Sequence, residues 1–190
     1  MARIGLANAL TSSRFVLAPM FAVVFSLTIR VDGFRTTGIV LLWLLFALIE
    51  LSDVLDGAVA RRRGTVTDIG KILDPFADVV SKITYFTCLL TAGIVPLWFL
   101  LVVLYREFGI ILIRMILYRD GVALGARVAG KLKTWLYAVT AGAGILFLSL
   151  HMPPALTIAM LVLLILTAAA SIGSFLQYLT IFLREMRARQ

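Results

Sequence analysis

The sequence predicts an all-α integral membrane protein, a bundle of six transmembrane helices with both termini on the cytoplasmic side. Three observations carry that expectation. The 190 residues are 62% hydrophobic and 15% charged, with a mean hydropathy of +1.04, whereas soluble domains run near half apolar and about a quarter charged. Six apolar runs reach the length a bilayer demands, about 20 residues apiece. The cations, finally, fall almost entirely on one side of those runs.

The runs follow in order. The first, 11–29, continues from MARIGLANALTSSR. Pro19 falls inside it and no clear small-residue cleavage site follows, so it reads as a retained span and not as a signal peptide. The second, 36–60, begins after Asp32-Gly33, and the third, 71–92, after Arg61-Arg62-Arg63-Gly64. Gly93 and Pro96 introduce the fourth, 96–118. Asp120-Gly121 separates it from the fifth, 132–150, and Pro153-Pro154 opens the sixth, 154–183. Such breaks are the turn signals antiparallel helices need between them. Thr67-Asp68 offers an N-cap for the third helix. No internal repeat or low-complexity linker interrupts the chain, which reads as one membrane domain over 1–190. The single cysteine, Cys88, excludes an intrachain disulfide and reads as an inert core thiol.

Six spans return the chain to the side on which it started. Thirteen cations lie on that side: Arg3, Arg14, Arg61, Arg62, Arg63, Lys71, Arg119, Arg127, Lys131, Lys133, Arg184, Arg187 and Arg189. The opposite loops hold Arg30 and Arg35. By the positive-inside bias the N-terminal side is cytoplasmic, in a multi-pass protein of the cell's inner membrane. The net charge of +8 comes with no soluble basic domain. Its anionic partners are therefore lipid headgroups and phosphorylated substrates, and no nucleic acid. Arg184, Arg187 and Arg189 suit anionic headgroups, Trp43, Trp98 and Trp135 suit the interface, and His151 suits a turn at the outer end.

Between residues 53 and 78 the sequence DVLDGAVARRRGTVTDIGKILDPFAD sets four aspartates, Asp53, Asp56, Asp74 and Asp78, in a fixed frame. Carboxylates are expensive in hydrocarbon and mark a functional site there. At about 100° per residue, Asp53, Asp56, Gly57 and Ala60 share one arc of the second helix. Asp74 and Asp78 are a turn apart on the third. The short link from Arg62 to Ile69 folds the two helices antiparallel, so the acidic faces can meet near the cytoplasmic mouth. Carboxylates so crowded cannot all stay ionised unaided. A pair of divalent cations resolves the conflict, and an all-oxygen donor set favours Mg²⁺ or Mn²⁺. Small residues at 57 and 60 serve either a substrate groove or close helix packing. Arg61 serves either a phosphate or the headgroups.

The pattern D-x2-D-G-x2-A-R-x8-G-x3-D-x3-D, running from Asp53 to Asp78, resembles the signature of the CDP-alcohol phosphotransferase family at its eight fixed positions. The resemblance implies transfer of a phosphatidyl or phospho-alcohol group from a CDP-linked donor to an alcohol, releasing CMP. It implies that Asp53, Asp56, Asp74 and Asp78 ligate two divalent metals. It implies that Asp53, Gly57, Ala60, Arg61 and Gly70 line the CDP site, and that Asp78 is the general base. It also implies a homodimer.

The acceptor is read from other residues. Arg106 and Arg114 lie about 80° apart on the fourth helix, where a mid-span cation needs a reason. That reason is either pairing with an internal acid such as Glu50 or Asp78, or a pocket for the phosphate of a small acceptor. Lys131 and Lys133 open the fifth helix two positions apart, which a regular helix sends to opposite sides. The segments REF-x5-R, GK-x-KT and LDPFAD resemble those of bacterial members whose acceptor is glycerol 3-phosphate. Those members place lysine after the last aspartate, where this chain has Val79; Lys82, one turn on, can reach back to Asp78 at i, i+4. Family members with other acceptors or donors use inositol phosphate, serine, or CDP-choline and CDP-ethanolamine with diacylglycerol. An ion-coupled transporter is the reading from a different class. Against it, the acids cluster at one mouth and no second half repeats them.

Overall fold

The computed structural model describes residues 6–63, 68–119 and 128–187, with side chains over 12–55, 75–117 and 133–187. All of its regular structure is helical, in six helices: α1 (Leu6–Arg30), α2 (Arg35–Arg63), α3 (Asp68–Thr91), α4 (Leu97–Arg119), α5 (Val128–Ser149) and α6 (Pro154–Arg187). Every expected helix forms, most of them reaching a few residues beyond the apolar run. Among the described residues, three stretches are long and apolar enough to cross a membrane: Ser12–Arg30, Arg35–Leu55 and Pro154–Arg187. In α4 the apolar run is interrupted by Arg106, Glu107 and Arg114.

The turns follow from local chemistry. Gly93, at a φ of 72°, ends α3. Its N–H bonds the Leu90 carbonyl, and that of Ile94 bonds Leu89, the paired bonds of a Schellman cap, in which glycine takes the left-handed position without steric cost. The end of α5 repeats the pattern, with His151 N–H on Leu148 and Met152 N–H on Phe147. There the left-handed position belongs to His151, at a φ of 61°. The histidine is a turn residue, as the sequence suggested.

The core is apolar and aromatic. Helix α1 packs against both α2 and α3, α5 against α2, α3 and α6, and α4 against α3 and α6. Phe21, Tyr85 and Phe46 form a ring chain from α1 through α3 to α2, and Phe86 joins Phe99 of α4 to Tyr137 of α5. Between α5 and α6 the hydroxyls of Tyr137 and Ser171 lie 2.7 Å apart, and those of Thr140 and Thr167 lie 2.8 Å apart. At the start of α2, Arg35 donates to the carbonyl of Leu148 at 2.8 Å, which places the start of α2 beside the end of α5. The outward surface carries Val16, Val23, Leu44, Leu112, Ile158 and Leu166, all more than half exposed, a surface suited to lipid chains.

Candidate active site

The polar side chains buried in this apolar bundle gather toward the opposite end, where α1, α3 and α5 begin and α2, α4 and α6 finish. Two clusters stand there. In the first, Arg14 of α1 is 1% exposed and its Nη1 donates to Asp53 Oδ1 at 2.6 Å. Three residues back along α2, Glu50 accepts from Lys82 Nζ of α3. Lys82 Nζ also stands 3.8 Å from Asp78 Oδ1, the i, i+4 pair foreseen in the sequence. Asp53 lies within the electrostatic reach of Lys82 as well.

Burial is uneven across the cluster. The cations Arg14 and Lys82 are sealed inside, while the side chains of Asp53 and Asp78 are 30% and 22% exposed. The carboxylates thus border accessible space and the cations stand behind them. Val79, beside Asp78, is 4% exposed within the bundle. Position 79 therefore faces core, and in this chain the cation at Asp78 comes from Lys82 one turn on.

The second cluster joins three helices. Arg106 Nη1 of α4 donates to both carboxylate oxygens of Glu107 at 2.9 Å, and its Nη2 donates to Ser174 Oγ of α6 at 3.0 Å. Lys133 Nζ of α5 donates to Glu107 Oε1 at 2.7 Å and lies 4.5 Å above the Tyr137 ring. Arg106, Glu107 and Lys133 are all buried, and Lys133 lies within electrostatic reach of Asp78 in the first cluster. Arg114, two turns further along α4 or about 12 Å, stays outside this group. Its Nη2 reaches the Tyr178 hydroxyl at 3.3 Å, with the guanidinium over the ring.

Of the residues expected to act, the structure places both Asp53 and Asp78 within electrostatic reach of Lys82, and it brings together Arg106 and Lys133 through Glu107. The internal acid that pairs with Arg106 is Glu107, not Glu50 or Asp78. Asp56, Gly57, Ala60 and Arg61 lie on α2, Gly70 and Asp74 on α3, and Lys131 on α5, but their side chains are outside the described residues. Among the described residues no three His, Cys, Asp or Glu side chains form a metal site; two of the four frame aspartates are among them. Those two bring only oxygen donors to accessible space, which fits a hard divalent cation. Arg14, Glu50 and Glu107 were not singled out as site residues. From the sequence, Arg14 counts only among the cations of the basic side. The signal available for Glu107 was its adjacency to a mid-span arginine.

The fold and site together define an all-helical protein with a charge-paired polar site set into one end of an apolar bundle. The sequence profile of the CDP-alcohol phosphatidyltransferase family matches residues 4–183. A CDP-diacylglycerol–glycerol-3-phosphate 3-phosphatidyltransferase of Treponema pallidum is 44% identical over 94 residues, covering 50% of this chain and 44% of that protein. A probable phosphatidylglycerophosphate synthase of Mycobacterium tuberculosis is 34% identical over 161 residues, 84% of this chain and 75% of its own length. A cardiolipin synthase (CMP-forming) of Streptomyces coelicolor is 36% identical over 114 residues, 60% of this chain and 52% of that protein. The match thus spans about half the length of the Treponema and Streptomyces relatives and three quarters of the Mycobacterium one. The chain belongs to the CDP-alcohol phosphatidyltransferase family, a family of transferases.

Proposed function

We propose that this chain transfers the phosphatidyl group of CDP-diacylglycerol to glycerol 3-phosphate, giving phosphatidylglycerophosphate and CMP. The observation that carries the reading is the neighbourhood of the two clusters: accessible carboxylates of the aspartate frame beside buried cations that suit a phosphate. In the reaction a hydroxyl oxygen of the acceptor bonds to the lipid-bearing phosphorus of the donor. The bond from that phosphorus to the oxygen of CMP breaks, and the hydroxyl proton passes to an Asp78 carboxylate oxygen.

Asp53, Asp56, Asp74 and Asp78 would hold two divalent cations, Mg²⁺ or Mn²⁺. When bound, these supply charge neutralisation on the diphosphate, the main requirement of phosphoryl transfer. Lys82, itself bonded to Glu50, stands behind Asp78, and Arg14 holds Asp53. Asp53, Gly57, Ala60, Arg61 and Gly70 form the CDP side. Arg106, Arg114, Lys131 and Lys133 form the acceptor side, within which Glu107 joins Arg106 to Lys133. The bundle crosses the inner membrane six times with both termini and the site at the cytoplasmic face, Arg184, Arg187 and Arg189 meet anionic lipids, and the protein works as a homodimer.

The test is transfer of label from CDP-diacylglycerol to glycerol 3-phosphate in detergent with Mg²⁺ or Mn²⁺. Glycerol, inositol phosphate, serine and phosphatidylglycerol serve as competing acceptors. CMP release with glycerol 3-phosphate and little with the acceptors lacking a phosphate monoester is expected. Equal turnover with unphosphorylated acceptors sinks the acceptor assignment, and no CMP from any CDP-linked donor sinks the reaction. Asp78→Asn is expected to lower kcat by roughly 10² or more, the scale of a lost general base, with an unchanged elution profile in detergent.

A further inference from the structure

We propose that Glu107 is a positioning residue for the acceptor: it sets Arg106 and Lys133 so that their remaining N–H groups receive the acceptor's phosphate. The inference rests on the acceptor reading above. Arg106 is held by its two terminal nitrogens, Nη1 on Glu107 and Nη2 on Ser174. That clamp fixes the guanidinium plane. It leaves Nε buried and without a hydrogen-bond partner among the described residues, a state it shares with the Nε of Arg35 and Arg114 but here beside a second buried cation. A buried N–H with no acceptor is costly, and native structures keep few without a reason.

Lys133 adds the second half. Its ammonium carries three N–H donors, and among the described residues its hydrogen bond is the one to Glu107 Oε1. One carboxylate therefore holds two cations from different helices, α4 and α5. Two cations share one directly bonded anion, with Asp78 a more distant counter-charge to Lys133, and all three residues of the triad are more than nine-tenths buried. Buried net charge is expensive unless a counter-charge arrives. A phosphate monoester supplies that charge, and its oxygens can accept from Arg106 Nε and the spare Lys133 hydrogens together. A sulfonate or carboxylate on an otherwise similar alcohol satisfies the donors less completely.

Glu107 does not touch the acceptor on this account, so removing it acts through Arg106 and Lys133. In Glu107→Gln the amide keeps the shape but loses the second charge-assisted oxygen and brings an N–H group toward cationic donors. The KM for glycerol 3-phosphate is expected to rise roughly tenfold, while the KM for CDP-diacylglycerol and kcat stay within about twofold. Glu107→Asp, which keeps the charge on a shorter arm, is expected to recover part of that loss. Ser174→Ala releases the other side of the Arg106 clamp and is expected to raise the acceptor KM about threefold, again without moving the donor KM.

Wild-type acceptor preference is measured first, because a wild type indifferent to the phosphate overturns the acceptor reading itself. Given that preference, an unchanged acceptor KM in Glu107→Gln overturns the positioning role. So does a rise shared equally by both substrates, which is the mark of a general structural tie between α4 and α5. Should Glu107→Gln fail to fold, Ser174→Ala decides by the same split.

Discussion

At the level of single residues, the site is built from charge pairs: around the aspartates the cations are more deeply buried than their anions, and around Glu107 both partners are buried. Lys82 and its i, i+4 partner Asp78 were legible because helix geometry alone brings them together. Arg106 was legible as an interior cation because a charge in an apolar run demands a partner, whereas Lys133, counted on the basic side, was not. Glu107 was not, since adjacent helix positions point about 100° apart and only the side-chain conformations close that pair. Arg14 was missed because in the sequence it stands only as one of the cations of the basic side. Its depth appears only once α1 packs against α2. Removing it leaves Asp53 without the donor that fixes Oδ1. Arg14→Leu is expected to cost about 1–3 kcal/mol, the range for a broken hydrogen bond to a partly buried charge, and to lower kcat further by displacing Asp53. Thermal unfolding in detergent and initial rates measure the two effects separately; full activity in the variant would remove Arg14 from the site. His151 gives a prediction of opposite sign. It occupies a left-handed cap position at φ 61°, where an L side chain costs about 1 kcal/mol relative to glycine. His151→Gly should therefore raise the unfolding temperature by roughly 2–4 °C and leave catalysis unaltered, because the turn lies at the far end from the aspartates.

At the level of elements, helix number and order were legible because apolar runs separated by Gly, Pro and Asp-Gly leave few alternatives. The ends were less so. Helix α6 continues to Arg187, past the apolar run, because polar residues extend a helix as readily as apolar ones once it emerges from the bundle. Which helices touch was legible only for α2 and α3, through their short link. The chain places α1 between α2 and α3, and α2 meets α3 through side chains such as Phe46 with Tyr85 and Glu50 with Lys82. The α1–α2 contact depends on Gly38. A Cβ at that position would stand 3.0 Å from the Cβ of Thr28 and closer still to its hydroxyl oxygen. Thr28 is β-branched, and its hydroxyl is bonded to the Val24 carbonyl, so it cannot swing away cheaply. Gly38→Ala is expected to cost about 1–3 kcal/mol, as overpacking does. Because residue 38 and Asp53 lie at opposite ends of the described part of α2, the KM values should hold while stability falls. A change in acceptor KM without loss of stability would contradict this division of α2 into a packing end and a site end.

Across the whole molecule, the buried charges of the described residues are displaced to one end, and the rest of the bundle is mainly apolar with a few hydroxyl pairs between helices. That asymmetry matches the distribution of cations in the sequence, though Arg14 and Lys133, both counted on the basic side, turn out to be interior residues with acidic partners. The bias toward one side survives their removal, since the arginines of residues 61–63 and 184–189 remain there. Orientation can be read directly, because the single native thiol is buried and gives little background labelling. A cysteine at Val31, exposed in the turn between α1 and α2, and another at Met186, exposed near the end of α6, mark the two ends of the bundle. With a membrane-impermeant maleimide, Val31→Cys is expected to react in intact cells stripped of their outer barrier. Met186→Cys should react only in inverted vesicles. Reaction of both from one side would break the up-and-down arrangement on which the six-span reading depends. Met186 labelled from outside, with Val31 protected, would reverse the bundle and turn the aspartate frame away from the compartment that holds soluble glycerol 3-phosphate.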